Sequence, residues 1–116
     1  MDEFSFKNLV VWQKAMDFAD ECLQITEAIK GHFRLCEQLE SCSCSVPQNI
    51  AEGKGRFSNK DFVRFLHFAR GSLFEAITVL NIFFRRGYIQ KSKLDLLELK
   101  SMEILKMLNA LITSKR

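Results

Sequence analysis

The sequence predicts an all-α fold, an antiparallel up-down four-helix bundle, on three observations. Apolar residues recur at three- and four-residue steps along four long segments, the breaks between segments are short and contain glycine or capping side chains, and no stretch alternates apolar and polar residues as a strand would. The chain has 116 residues, 47% of them hydrophobic. It is therefore read as one domain over residues 1–116, long enough to bury roughly two-thirds of its unfolded surface.

The first helix is expected from about Leu9 to Ile29 and carries two apolar stripes. Trp12, Ala15, Met16, Ala19, Cys22, Leu23 and Thr26 share one face and are assigned to the core. Val11, Phe18 and Ile25 recur at seven-residue spacing beside them. They widen the apolar arc beyond the roughly 100° that one buried face needs, and are assigned to a subunit contact.

After the Lys30-Gly31-His32 break the second helix runs from about Phe33 to Glu52, with Leu35, Leu39, Val46 and Ile50 inward. Its distinctive stretch is SVPQNIAEGKGRFS, Ser45 to Ser58, which contains the only proline of the chain. Pro47 removes a backbone donor and crowds the Ser43 carbonyl, a cost of about 3 kcal/mol in a helix interior. Gln48, Ile50, Ala51 and Glu52 still favour a helix, so a proline-kinked second helix is expected, with outright breakage the open alternative. Asn49 can satisfy a backbone group near the proline, and Gly53 can stop the helix. Glu52 and Arg56 can pair, and Gly53 and Gly55 can take positive φ. The Gly-Lys-Gly turn thus reads either as helix termination or as a nest of amides facing a phosphate, although it lacks the spacing of a phosphate-binding loop.

Ser58 is placed to cap the third helix, with Asp61 in its first turn. Phe62, Phe65, Leu66, Ala69, Leu73, Ala76, Ile77, Leu80 and Phe84 fall along its core side, and Lys60, Arg64, His67 and Gly71 lie opposite. Arg85 and Arg86 complement the C-terminal dipole before Gly87 stops the helix. Ser92 is expected to cap the fourth helix, which turns Leu94, Leu97, Ile104, Leu105, Leu108 and Ile112 inward to about Thr113. Leu96, Leu99 and Met107 lie on its outer side. With Val11, Phe18, Ile25 and Phe74, the surplus apolar residues Leu96 and Leu99 form the candidate contact through which bundles associate.

Charge is divided along the chain. Residues 1–52 hold four basic and nine acidic side chains, a net of −5; residues 53–93 hold nine and two, a net of +7; the remainder adds +1 to give the formal +3. A basic middle suggests an anionic partner. The candidate nucleic-acid site is Lys54, Arg56, Lys60, Arg64 and Arg70, with Arg85, Arg86, Lys91 and Lys93 as a second cluster. Lys60 and Arg64 are one turn apart, with His67 beside them. A patch of this size can bind phosphates in a salt-dependent manner without sequence specificity, or simply be a solvated face. Most of the eleven phenylalanines sit at core spacing. Phe57, in the basic turn, and Phe74, on the polar side of the third helix, do not. Phe74 is assigned to a subunit contact ahead of RNA.

Other classes find little support. No segment approaches the roughly 18 uncharged apolar residues of a membrane span, and the acidic Met1-Asp2-Glu3 start is unlike a secretory signal, so a cytoplasmic protein is expected. Cys22, Cys36, Cys42 and Cys44 match no zinc spacing and are read as free, mostly buried thiols. Only His32 and His67 are available as general bases, and neither has a positioned partner. No enzyme, cofactor, metal or small-molecule substrate is expected.

The motifs LVVWQKA (Leu9 to Ala15), EQL followed by SVPQNIAEGKGRFS, DFVRFLHFARGSLFEA (Asp61 to Ala76) and GYI (Gly87 to Ile89) together resemble the 23S ribosomal RNA intervening-sequence protein family, also called four helix bundle protein. That resemblance implies an all-helical homo-oligomer, a pentameric ring, with a role in RNA or ribosome-associated function. It also implies a likeness to a similar fold that serves as an accessory subunit to retroelement reverse transcriptases. One departure is local: where relatives carry paired arginines after the glutamine and leucine, this chain has Glu40 and Ser41. Two functions are thus expected, an oligomeric RNA- or ribonucleoprotein-binding protein, or a protein-interaction scaffold without direct nucleic-acid recognition.

Overall fold

Each of the four apolar segments is a helix in the computed structural model, which describes residues 4–116. The acidic Met1–Glu3 start lies outside the described residues. A short 3-10 turn (Ser5–Asn8) leads into α1 (Val10–Ala28), α2 (Phe33–Lys54), α3 (Asn59–Arg85) and α4 (Lys91–Lys115). Each helix packs against its two neighbours around the bundle, α2 with α3 most extensively and α1 with α4 least. The connections are short, so successive helices run antiparallel in a bundle 43 Å long and 21–23 Å across.

The helix ends follow local chemistry. The Ser58 hydroxyl accepts the Asp61 amide at 3.1 Å and caps α3. At the other end the Gly87 amide donates to the Phe84 carbonyl and the Tyr88 amide to that of Phe83, with Gly87 at φ +78°. That is a Schellman stop, and it needs the left-handed backbone that glycine supplies. Gly31 and His32 also have positive φ, +81° and +53°, before α2. The Tyr88 and His32 rings lie 4.5 Å apart, tying the α1–α2 and α3–α4 turns together at one end of the bundle. Ser92 does not cap α4. The helix starts at Lys91 after an extended Gln90, so Ser92 already lies in its first turn.

The α2 helix continues through Pro47 to Lys54 without interruption. Asn49 Nδ2 donates to the Ser45 carbonyl at 2.8 Å and to the Ser45 hydroxyl at 2.9 Å, while the Ser72 hydroxyl reaches Ser45 from α3 at 2.8 Å. The expected role of Asn49 beside the proline is met, and the same serine pins α2 to α3.

The principal correction concerns α1. Val11, Phe18 and Ile25 are buried, with Phe18 at 0% exposure, alongside Ala15, Ala19, Cys22 and Thr26. They cannot form a subunit contact. Trp12 and Leu23, assigned to the core, are half-buried, and Met16 is exposed. The two stripes are offset by one residue, and the bundle axis falls on the Val11–Ala15–Phe18–Cys22–Ile25 seam, whose alternating four- and three-residue steps follow one helix face. Smaller shifts of the same kind replace Ile77 and Phe84 with Val79 and Phe83 in the α3 core, and Leu105 with Ser101 in α4.

Polar contacts close the weaker α1–α4 side. Glu21 accepts from Lys93 at 3.2 Å and from Lys100. Burial pushes the Glu21 carboxyl up, yet the two lysine hydrogen bonds outweigh it and hold its pKa below the ordinary value. All four cysteines are free thiols, three of them buried. Burial raises the pKa of Cys22 to about 12 and of Cys42 to about 11, which leaves both unreactive at neutral pH.

Phe18→Ala should cost about 3–5 kcal/mol of folding stability, as large-to-small changes at filled core sites do. Denaturant unfolding measures this. A Phe18→Asp protein that kept its helicity and lost only mass would contradict the burial described here.

Candidate nucleic-acid interface

The α2–α3 turn is shaped by glycine in a way the spacing did not suggest. Neither Gly53 nor Gly55 has positive φ; Gly55 sits at φ −78° as the C-cap of α2. Gly53 is instead a buried point of close approach. A Cβ there would lie 2.8 Å from the Phe65 Cβ and 3.0 Å from the Phe62 ring. The amides of Gly55 and Arg56 donate to the Ala51 and Gly53 carbonyls, so they end the helix and are not turned toward a phosphate. The turn therefore terminates the helix and does not form the amide nest that was its alternative.

Behind this turn the basic side chains are organised by aromatic rings. The Arg56 guanidinium lies 4.6 Å from the centroid of Phe65, and that of Arg64 lies 4.9 Å from Phe65 and 5.7 Å from Phe68. Phe65 and Phe68 meet edge to face at 5.5 Å. Arg56 also pairs with Glu52 at 3.2 Å, as the sequence suggested, and Arg64 with Asp61 at 3.6 Å. Both pairs are exposed and contribute little to stability. Their effect is to hold two planar guanidiniums in place, where they keep donors free for an anion. Lys54, Lys60 and His67 are exposed and unpaired among the described residues.

The nine cations named from the sequence do not form one patch. Lys54, Arg56, Lys60 and Arg64 gather at the α2–α3 end. Arg70 lies further along α3, with its guanidinium 5.7 Å from Phe74 and its Nε buried without a hydrogen-bond partner. Arg85 and Arg86 are at the opposite end, roughly 32 Å from Arg64 at 1.5 Å per residue. Their neighbours Lys91 and Lys93 are engaged by Asp95 and Glu21.

Of the expected assembly residues, Phe74, Leu96 and Leu99 remain exposed. They belong to different grooves. Phe74 lines a cleft of about 300 Å³ between α3 and α4 with Ile77, Met102 and Leu105, whereas Leu96 and Leu99 border Lys14 and Glu103 between α1 and α4. A third groove, of about 410 Å³, was missed altogether. It lies between α1 and α2 and is lined by Phe6, Trp12, Met16, Leu23, Pro47 and Ala51. Its signal was present in Trp12, Met16 and Leu23, once these members of the stripe assigned to the core are placed outside.

Four long antiparallel helices with arginine-dressed aromatics at one end define the class: an all-α four-helix bundle protein, without a strand among the described residues. Within that class the chain belongs to the 23S rRNA-intervening sequence protein family, whose sequence profile matches residues 7–110. A crystal structure of a protein with unknown function from the S23 ribosomal protein family of Bacteroides thetaiotaomicron is similar at a TM-score of 0.82 and 24% identity, over 89% of this chain and 98% of that one. This likeness establishes the fold. No curated protein matches the chain. Neither comparison indicates an enzyme family. No helix among the described residues is long and apolar enough to cross a membrane.

Two glycines of the site should respond oppositely to alanine. At Gly53 the added Cβ meets the Phe65 Cβ, the Phe62 ring and the Phe62 carbonyl at 2.8–3.2 Å, so Gly53→Ala should destabilise by about 1–3 kcal/mol. At Gly71, on the outer row of α3, nothing lies within 4 Å, and Gly71→Ala should stabilise by about 0.5–1 kcal/mol. Thermal unfolding of both variants reports the two signs, and a neutral Gly53→Ala would contradict the close approach.

Proposed function

We propose that the protein is a non-enzymatic homo-oligomer, pentameric by its family resemblance, that binds RNA or a ribonucleoprotein through phosphate contacts at the α2–α3 end of each bundle. The observation that carries this reading is the gathering there of Lys54, Arg56, Lys60 and Arg64, with both guanidiniums seated against Phe65. Phosphate recognition requires placed cations and little else. Arginines already held on a ring lose less freedom when they engage an anion. A closed oligomer repeats the site, so contacts that are weak singly act together. The ribosomal names of the family and of the Bacteroides protein are in keeping with an RNA partner.

For assembly, the burial of Val11, Phe18 and Ile25 leaves the Phe74–Met102 cleft and the Leu96–Leu99 border as the candidate contact surfaces. A second reading, that of a protein-interaction scaffold or accessory subunit such as one serving a reverse transcriptase, is favoured by the α1–α2 groove. Its lining is mainly apolar and suits a partner helix.

Fluorescence anisotropy of a labelled structured RNA, titrated at several salt concentrations, separates the two. Lys60→Glu with Arg64→Glu should weaken binding by more than tenfold and lower the salt slope by about two, since two phosphate contacts are lost. Helicity and oligomeric mass should be unchanged. Full affinity in this variant would remove the site, and no binding by the unaltered protein at low salt would leave the scaffold reading.

A further inference from the structure

Phe57 has no structural task that its position would suggest. It precedes the Ser58 cap of α3, the place from which an apolar residue packs onto the fifth residue along, here Phe62, as a hydrophobic staple. That staple is not made. Phe62 is buried and packs where Gly53 leaves room, its ring about 3.0 Å from the position of an added Cβ, while Phe57 stands at 110% exposure at the tip of the turn. It meets no other ring among the described residues. Phe33, at 78% the next most exposed phenylalanine among the described residues, sits at the opposite end of the bundle, away from the Lys54–Arg64 cations. Phe74, by contrast, lies beneath Arg70 and lines a cleft.

The surroundings of Phe57 are cationic. Lys54 and Arg56 precede it, Lys60 follows, and both lysines are exposed and free of carboxylates among the described residues. An exposed aromatic face among unpaired cations suits single-stranded nucleic acid: the ring takes a base and the cations take the adjoining phosphates. A duplex cannot use the ring in this way, because its bases are already stacked and the deep groove of A-form RNA is closed to side chains. We infer that the α2–α3 end receives an unpaired stretch of RNA, with one base stacked on Phe57 and neighbouring phosphates on Lys54 and Lys60. This inference rests on the RNA-binding reading above and specifies its ligand.

The test uses the full chain with a short oligoribonucleotide containing 2-aminopurine, either single-stranded or annealed to its complement. The single strand should bind more tightly than the duplex and its 2-aminopurine fluorescence should be quenched. Phe57→Ala should weaken single-strand binding on the order of tenfold and abolish the quench, with duplex affinity unaltered; Phe57→Trp should restore both and Phe57→Leu neither. Equal affinity for strand and duplex, or a Phe57→Ala protein that binds the strand like the parent, overturns the inference while salt-dependent binding by the parent leaves the phosphate site standing. A change of oligomeric mass in Phe57→Ala without a change of RNA affinity places the ring at a protein contact and also overturns it. Failure of the parent to bind either RNA at low salt removes the RNA reading itself. Because Phe57 is fully exposed, its variants should fold as the parent does.

Discussion

The close approach of α2 to α3 at Gly53 is the constraint on which the basic end of the molecule depends. Without a side chain there, Phe62 and Phe65 pack directly against the α2 backbone. Three consequences follow. The α3 helix begins hard against the end of α2, Phe62 is drawn into the core and away from Phe57, and Phe65 presents its ring to Arg56 and Arg64. About two turns earlier the Asn49–Ser45–Ser72 hydrogen bonds fix the same helix pair beside Pro47. Tight packing of α2 on α3 thus places the charged groups, although none of the residues that create it is charged.

Features decided by local chemistry were legible in the sequence. The Ser58 cap, the Gly87 stop, the Glu52–Arg56 pair and the role of Asn49 each depend on residues within a few positions of one another. Features decided between helices were not. The two stripes of α1, one at three- and four-residue steps and one at seven, lie side by side and are offset by a single position, so only the arrangement of the other three helices determines that Phe18 is inside and Met16 outside. Gly53 was misread for a related reason. A glycine serves either an unusual φ or a close contact, and sequence spacing does not say which.

The site shows the same division. Charge counting located the basic third of the chain, but a long α3 carries Arg64 and Arg85 to opposite ends of the bundle, and Lys91 and Lys93 are turned to carboxylates of their own. What remains at the α2–α3 end is a smaller group of cations, better ordered than the count implied. The apolar side chains left outside, at the α1–α2 groove and around Phe74, lie on other faces. The surface proposed for RNA contact and those proposed for association with protein are therefore separate, and assembly through the latter would leave the basic ends free.

The most direct measurement of the central claim is to locate the bound strand on the protein. An RNA containing 4-thiouridine, photo-crosslinked to the full chain and mapped by mass spectrometry, should attach to the peptides around Lys54 to Arg64, with the adduct centred on Phe57. Adducts confined to the Arg85–Lys93 end, or to the α1–α2 groove, would contradict the account.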